Sequence, residues 1–373
     1  MQFPLTALRL FIVLALAFAA TACTDSDDNG DESSPAYDQG PFLTNLADNL
    51  IVPGYETFAT ETAELRLAAE AFVQNPDANI LSTLQTELKA AWLAWEAVSC
   101  YAFGPAMEER LQMTLQTFPT DTARILSNIQ EGQWNLGSAQ NSAAIGFPAL
   151  DYLLHARATD SIVYRFSTSP QAGQWQQYLT DLVQDIDTRA QAVRDSWTGG
   201  YRTTFVENTG NDQGSSLGLL INELVRDWEL LRRNKIGDCI GVRFLNEINP
   251  RLVEAYYAGY SKELALAHGT AMRNFFLGIG TDGTNGPGLD DYLNAVEASA
   301  STGEPLATAI SDQMQLALTK TEEIPGRLQE AATNATEDVR AAYDEYQRAI
   351  PLLKTDMTSA LGVLITFNSG DGD

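Results

Sequence analysis

The chain has 373 residues with 23 basic and 49 acidic side chains, a formal net charge of −26. A surface that acidic excludes nucleic acid as a partner, because binding a polyanion needs the opposite field; it favours cations as neighbours without defining a site. Only two histidines are present, so a histidine-rich metal centre cannot be built.

The first residues read as an export signal. Arg9 supplies a positive start, Leu10 to Ala20 form an apolar run too short to remain as a spanning helix, and Ala20-Thr21-Ala22 gives small residues directly before Cys23. That order is a lipobox pattern, with Ala20 where leucine is usual. Residues 1–22 are therefore expected to be a lipoprotein signal peptide, and Cys23 the lipidated amino terminus. Residues 23–41 follow as an acidic tether, with six acidic residues between 24 and 40 and almost no large apolar ones, too little to offset the entropy of ordering. The lipid would hold the protein at a membrane while the body stays in water. The expected location is the cell envelope, at the outer membrane, with the periplasmic and surface faces both open. Cys100 and Cys239 remain, and the sequence leaves them open between a disulfide and two buried thiols.

From there helical spacing dominates. Candidate helices cover 54–74, 79–101, 105–116, 120–131, 171–197, 215–233, 261–277 and 288–299, punctuated by Asn75-Pro76, Gly104-Pro105, Phe118-Pro119, Gly199-Gly200 and the run GIGTDGTNGPG. In 215–233, Leu217, Ile221, Leu224, Trp228 and Leu231 mark one face, with Ser215 as N-cap. Later helices carry Leu306, Ile310 and Met314, then Val339, Tyr343, Tyr346 and Ile350, with a kink expected at Pro351. No stretch alternates with period two. The expected fold is all-α, with two helical-bundle modules, 42–200 and 201–373, divided near a loop-rich stretch at 199–214.

Most chemical motifs are missing: no phosphate-cradling glycine loop, no HExxH, no paired CxxC, no Glu-x-x-His. One segment stands apart. In AAIGFPALDYLLHA, Gly146 and Pro148 break the chain before a short apolar helix that places Asp151 and His155 four residues apart on one face, where they could share a metal ion or a proton. Dipole complementation by Asp151 and simple packing of His155 explain the same spacing. Trp92 and Trp95 read as core, Tyr256, Tyr257 and Tyr260 as interface filling or the lining of a polar pocket. RRNKIGDCIG gathers cationic charge at a solvated face or a module boundary.

Taken in order, these segments resemble the imelysin-like family. NLIVPGYETFATETAEL is similar to its first helix; AWLAWEAVSCYAFGPAM and TFPTDTARI to its tryptophan helix, glycine-proline turn and phenylalanine-proline step. RRNKIGDCIG, EAYYAGYSKELALAHGTAMRNFFLG and GLDDYL resemble its second-half motifs, and TDMTSALGVLITFNSGDGD the end of a lipoprotein subgroup. The resemblance spans residues 45–373. It implies two helical halves related by a pseudo-twofold, a site where a signature loop meets the second half, and a link to iron acquisition; some members are named for proteolysis.

The family signature Gly-x-His-x-x-Glu falls on IGFPALDYLL. Gly146 is kept, Pro148 replaces the histidine and Asp151 the glutamate. A zinc peptidase needs its imidazole, so peptidase activity is not expected, while Asp151 remains a candidate ligand for iron or another divalent or trivalent cation. By motif order, Gly146, Pro148 and Tyr152 would shape the loop, Lys235 and Gly237 would face it, and Glu254, Ser261 and Arg273 would add polar groups. The resemblance thus implies a non-catalytic lipoprotein binding iron or an iron-bearing ligand, with a protein-binding accessory of an outer-membrane receptor as the alternative.

Overall fold

In the computed structural model, which describes residues 37–367, the folded chain begins where Asp38 caps α1 (Gln39–Asn45), its carboxylate accepting from the Gly40 N–H at 3.0 Å. Tyr37 stacks on Tyr292 with ring centroids 4.0 Å apart. Residues 37–41, expected in the tether, thus belong to the body: an aromatic contact and a cap are enough to order them. The signal segment and Cys23 lie outside the described residues.

A π-helical turn, Leu46–Ile51, leads into α2 (Val52–Gln74), and Asp77 caps α3 (Ala78–Val98) by accepting from the Asn79 and Ile80 N–H groups. Tyr55, Phe58, Leu65 and Phe72 on α2 and Leu81, Leu84, Leu88, Trp92 and Trp95 on α3 recur every three or four residues and are buried. The expected helix at 105–116 is instead two short pieces, Pro105–Glu108 and Leu111–Leu115, because Arg110 between them takes a left-handed φ of 57°. Next come α4 (Gly146–His155) and α5 (Ala172–Ser196), the latter closing with α2 and α3 around the first core.

In the second half, Ser215 caps α6 (Ser216–Leu230), accepting from Gly218 N–H at 3.0 Å as its position predicts. A π-helical turn, Leu231–Gly237, follows. Then α7 (Ser261–Phe276), α8 (Leu306–Glu323) and α9 (Thr336–Pro351) pack together. Helix α9 runs through Pro351 into a further π turn, Leu352–Met357: the widened turn absorbs the proline's missing N–H in place of a simple kink.

The seam between the halves is α3 against α7. Asn45 adds a strap, donating to the carbonyls of Gly278 and Pro287 at 2.9 and 3.0 Å. The described residues, 37–367, fall within one compact unit. The fold is all-α: among the described residues there are two isolated bridges, Ile279 with Asn285 and Ser299 with Pro305, and no strand. Cys100 and Cys239 are both buried and unpaired, which settles the sequence's open alternative as two thiols rather than a disulfide.

Candidate functional site

The α3–α7 seam buries charge as well as rings. Glu96 follows Trp92 by one turn of α3, Asp227 lies between Leu224 and Trp228 on α6, and His268 follows Leu264 and Ala265 on α7. All three sit inside apolar stripes and are buried. The π turn after α6 brings Lys235 onto them, and the loop before α7 adds Glu254. An inserted residue of this kind re-aims the side chains beyond it, a common device at functional sites.

The groups form one network. Lys235 Nζ lies 2.7 Å from both Glu96 oxygens and 2.6 Å from Glu254 Oε2. His268 Nδ1 is 2.8 Å from Glu96 Oε2, and its Nε2 is 2.6 Å from Asp227 Oδ2. Gln112 Nε2 donates to Asp227 Oδ1 and to the Ser99 carbonyl, both at 3.3 Å.

A neutral imidazole donates from one nitrogen only, and both of His268's face carboxylates, so this ring is an imidazolium. Burial alone would discharge it, but the Asp227 charge and the hydrogen bonds to Asp227 and Glu96 outweigh that and hold it up at about 9. Burial likewise works against Glu96, yet the Lys235 charge and the His268 bond keep its carboxyl below the usual range. Burial also opposes the Lys235 ammonium, and Glu254 and Glu96 raise it all the same. Glu254 is the group that gives way: burial and the neighbouring Glu96 charge push it up to about 7 against the pull of Lys235.

Asp227, Lys235 and His268 reach the wall of a cleft of about 490 Å³, completed by Gln112, Asp238 and Arg243 among others. Ser99, His268 and Asp227 superficially follow the order of a nucleophilic triad, with Ser99 Oγ 3.3 Å from Nδ1. The imidazolium has no lone pair to take a proton, its shorter Nδ1 bond goes to Glu96, and Ser99 is buried outside the cleft lining. The set is an ion network rather than a nucleophile. Burial also raises both cysteine thiols, so neither is poised as a thiolate.

The signature loop sits beside this network. Gly146 opens α4 with φ 73°, and a Cβ there would come within 2.4 Å of the Thr114 and Leu115 carbonyl oxygens, so glycine is required. Pro148 lies in the first turn of α4, where no N–H is needed. Asp151 is buried, and its two oxygens accept from the N–H groups of Tyr257 and Ala258 at 2.9 and 2.8 Å. The carboxylate therefore ties α4 to the second half instead of standing ready as a ligand. Burial pushes it up to about 7, against those two donors.

Pro148, Asp151 and Glu254 share a crevice of about 50 Å³, too small for more than a few atoms. Tyr152 meets Tyr257 edge-on at 5.4 Å. His155, offered as Asp151's partner, lies edge-on to Tyr260 at 6.3 Å, and burial lowers it to about 4. Gly237 gives the Tyr343 ring room, since a Cβ would approach it to 2.8 Å. Ser261 Oγ accepts from Ala255 N–H at 3.3 Å, steadying the loop that carries Glu254. Arg273 reaches Ser311 at 3.4 Å and lines neither the cleft nor the crevice.

Of the residues expected from the sequence, Lys235 and Glu254 meet in the network. Glu96, Asp227 and His268 were passed over; their signal was a charged or titratable side chain inside an apolar stripe. Among the described residues no group of three or more His, Cys, Asp or Glu is placed to hold a metal ion.

The all-helical body is the one that the resemblance to the imelysins implies. The chain belongs to the imelysin family: that family's model (Imelysin, Peptidase_M75) matches residues 51–355. The chain is 25% identical over 155 residues to iron-regulated protein A of Synechococcus elongatus, a match spanning 42% of this chain and 39% of that relative's length. Two solved structures share the fold. One, from Parabacteroides distasonis, is described as a candidate iron-regulated protein A precursor (TM-score 0.72, 15% identity, 88% of this chain and 97% of that one). The other is an imelysin-like protein from Psychrobacter arcticum (TM-score 0.67, 18% identity, 88% and 97%).

Proposed function

We propose that this chain is a non-catalytic, imelysin-type lipoprotein, held at the cell envelope through Cys23, that binds an iron-bearing ligand in the cleft walled by Asp227, Lys235 and His268. One observation carries the reading: three charged side chains, each at most 4% exposed, are held by a single network and still face a cavity of about 490 Å³. Desolvating such charges is costly, and clefts that retain them are where ligands are recognised. Iron enters as the cargo because relatives of this chain carry iron-regulated names.

The electrostatics narrow the form of the cargo. Glu96 and Asp227 are already neutralised by Lys235 and His268. A bare cation would have to displace an internal ammonium or imidazolium, whereas iron held by its own chelator needs only polar and charged contacts of both signs. The test is calorimetry of the purified protein with ferrous iron, ferric nitrilotriacetate and iron-free nitrilotriacetate. Heat is expected with the loaded chelate, weakened by about tenfold or more in Asp227→Asn, as for loss of one charge-assisted contact. No heat with either iron form, or equal heats for loaded and empty chelator, would remove iron from the reading.

A further inference from the structure

The cleft that the charged network faces has a second chemistry in its wall. Beside Asp227, Lys235 and His268 it is lined by Met113, Phe118, Pro119, Leu230, Phe244 and Leu252. Met113 comes from the first half of the chain and Phe244 from the second, and they are 58% and 45% exposed. Single apolar side chains in water are ordinary on a protein surface, but these two line the same cavity as the buried charges. Phe244 is also held in place. Its N–H donates to the Gly241 carbonyl at 2.8 Å, and its carbonyl accepts from Glu247 N–H at 2.9 Å. Gly241 has φ 77°, and a Cβ there would come within 2.5 Å of the Glu247 backbone, so the turn needs glycine. The Arg243 guanidinium lies 5.8 Å from the centre of the Phe244 ring and is itself anchored, its Nε donating to Asp238 Oδ1 at 2.8 Å.

We propose that the cleft takes its ligand by a flat aromatic ring seated against Phe244 and Met113, so that the cargo is a chelate whose iron-binding oxygens sit on an aryl group, as in a catecholate. A ring already fixed by its own turn loses little further freedom when another ring packs on it, and aromatic pairs gain from offset or edge-on contact beyond the area they bury. The unbranched thioether of Met113 adapts to rings of different outline and makes favourable sulfur–aromatic contacts. A catecholate carries a flat apolar face and, along one edge, paired hard oxygens of the kind ferric iron prefers. Those two surfaces match a cleft with charges of both signs in one part of its wall and apolar groups in another. An aliphatic carboxylate chelate has nothing to offer the apolar part. The inference rests on the cleft being the ligand site, but not on the metal, because the ring is recognised with or without iron.

The experiment is calorimetry of the purified protein with ferric 2,3-dihydroxybenzoate, ferric nitrilotriacetate and iron-free 2,3-dihydroxybenzoate. It compares the wild type with Phe244→Leu, which keeps an apolar side chain but removes the ring, and Met113→Ala, each checked for an unchanged unfolding midpoint. The aryl chelate is expected to bind about tenfold or more tighter than the nitrilotriacetate chelate, and both aryl probes to weaken by about three- to tenfold in Phe244→Leu, as for loss of one aromatic pair. Met113→Ala should weaken them by a smaller factor, and neither variant should change ferric nitrilotriacetate. Iron-free dihydroxybenzoate that binds and weakens in Phe244→Leu, when neither chelate binds, also supports the aromatic seat and removes only the iron. Ferric nitrilotriacetate matching the aryl chelate, full affinity for the aryl probes in Phe244→Leu, or no binding of either aryl probe would overturn the proposal; in the first of these cases the iron-chelate reading of the cleft would still stand.

Discussion

Two buried carboxylates in this fold, Asp151 and Glu96, are accommodated in opposite ways. Asp151 meets only neutral donors, the N–H groups of Tyr257 and Ala258, and burial drives its carboxyl up to about 7. Glu96 meets two cations, Lys235 and His268, and its carboxyl is lowered despite complete burial. The lesson is that a carboxylate in a family's signature position need not be its chemical centre. Asp151 behaves as a clasp between halves, and the charge that faces the cleft belongs to the network around Glu96.

The comparison breaks most visibly at Lys235. Lys235→Met leaves Glu96 and Glu254 buried without the ammonium they share, a loss of about 3–5 kcal/mol of unfolding free energy on the usual cost of stranding one half of a buried ion pair. Urea titration reads it. Adding Glu254→Gln to Lys235→Met should recover part of the loss, because Glu96 keeps His268. A single-variant cost near zero would mean that these charges are solvated, and the contrast with Asp151 would disappear.

Proton linkage sharpens the same contrast. His268 titrates at about 9 in the folded protein against 6.5 when unfolded, so its stabilisation is complete below pH 6.5 and is lost as pH rises through about 9. The shift corresponds to about 3 kcal/mol over that window. Glu254 and Asp151 are acids raised to about 7, and they bend the curve the same way at lower pH, since the folded state keeps protons that the unfolded chain has released. Unfolding free energies measured at pH 6, 7.5 and 9 should therefore fall steadily. His268→Gln should flatten only the upper part, and a wild-type curve level from pH 6.5 to 9 would contradict an imidazolium in the network.

A smaller effect is expected at the clasp. Asp151→Ala leaves two part-buried N–H groups without their acceptor, a cost of about 1 kcal/mol at the low end of the range for an unsatisfied donor, and should leave iron-chelate binding unchanged. Loss of binding with intact stability would return Asp151 to the site.

How far all this was legible in the sequence follows from what each signal depends on. Helical periodicity is local, and the edges of α2, α3, α5 and α7 fall within a few residues of where spacing and punctuation set them. The break at Arg110 was invisible because a left-handed residue between two apolar pairs leaves periodicity intact. Lys235 and Glu254 stood out through motif order, while Glu96, Asp227 and His268 were hidden by the apolar stripes around them. Their charged partners come from 41 to 172 residues away in the chain, which no local pattern records.

The cysteines give the last and smallest test. The export expected from the first residues would make a disulfide between Cys100 and Cys239 reasonable on chemical grounds, and only tertiary placement decides that both remain buried thiols. A bridge would contribute about 2–4 kcal/mol, so its presence would make stability sensitive to reductant. The structure leads to the opposite expectation: a reducing agent should change the unfolding free energy by less than about 0.5 kcal/mol, as for a change that breaks no contact. Because burial raises both thiols, a disulfide-exchange reagent should label them slowly in the native protein and rapidly in urea. Two equivalents of rapid labelling without denaturant would show that the seam behind Ser99 and Glu96 opens to solvent, and would weaken the claim that the neighbouring network is kept dry.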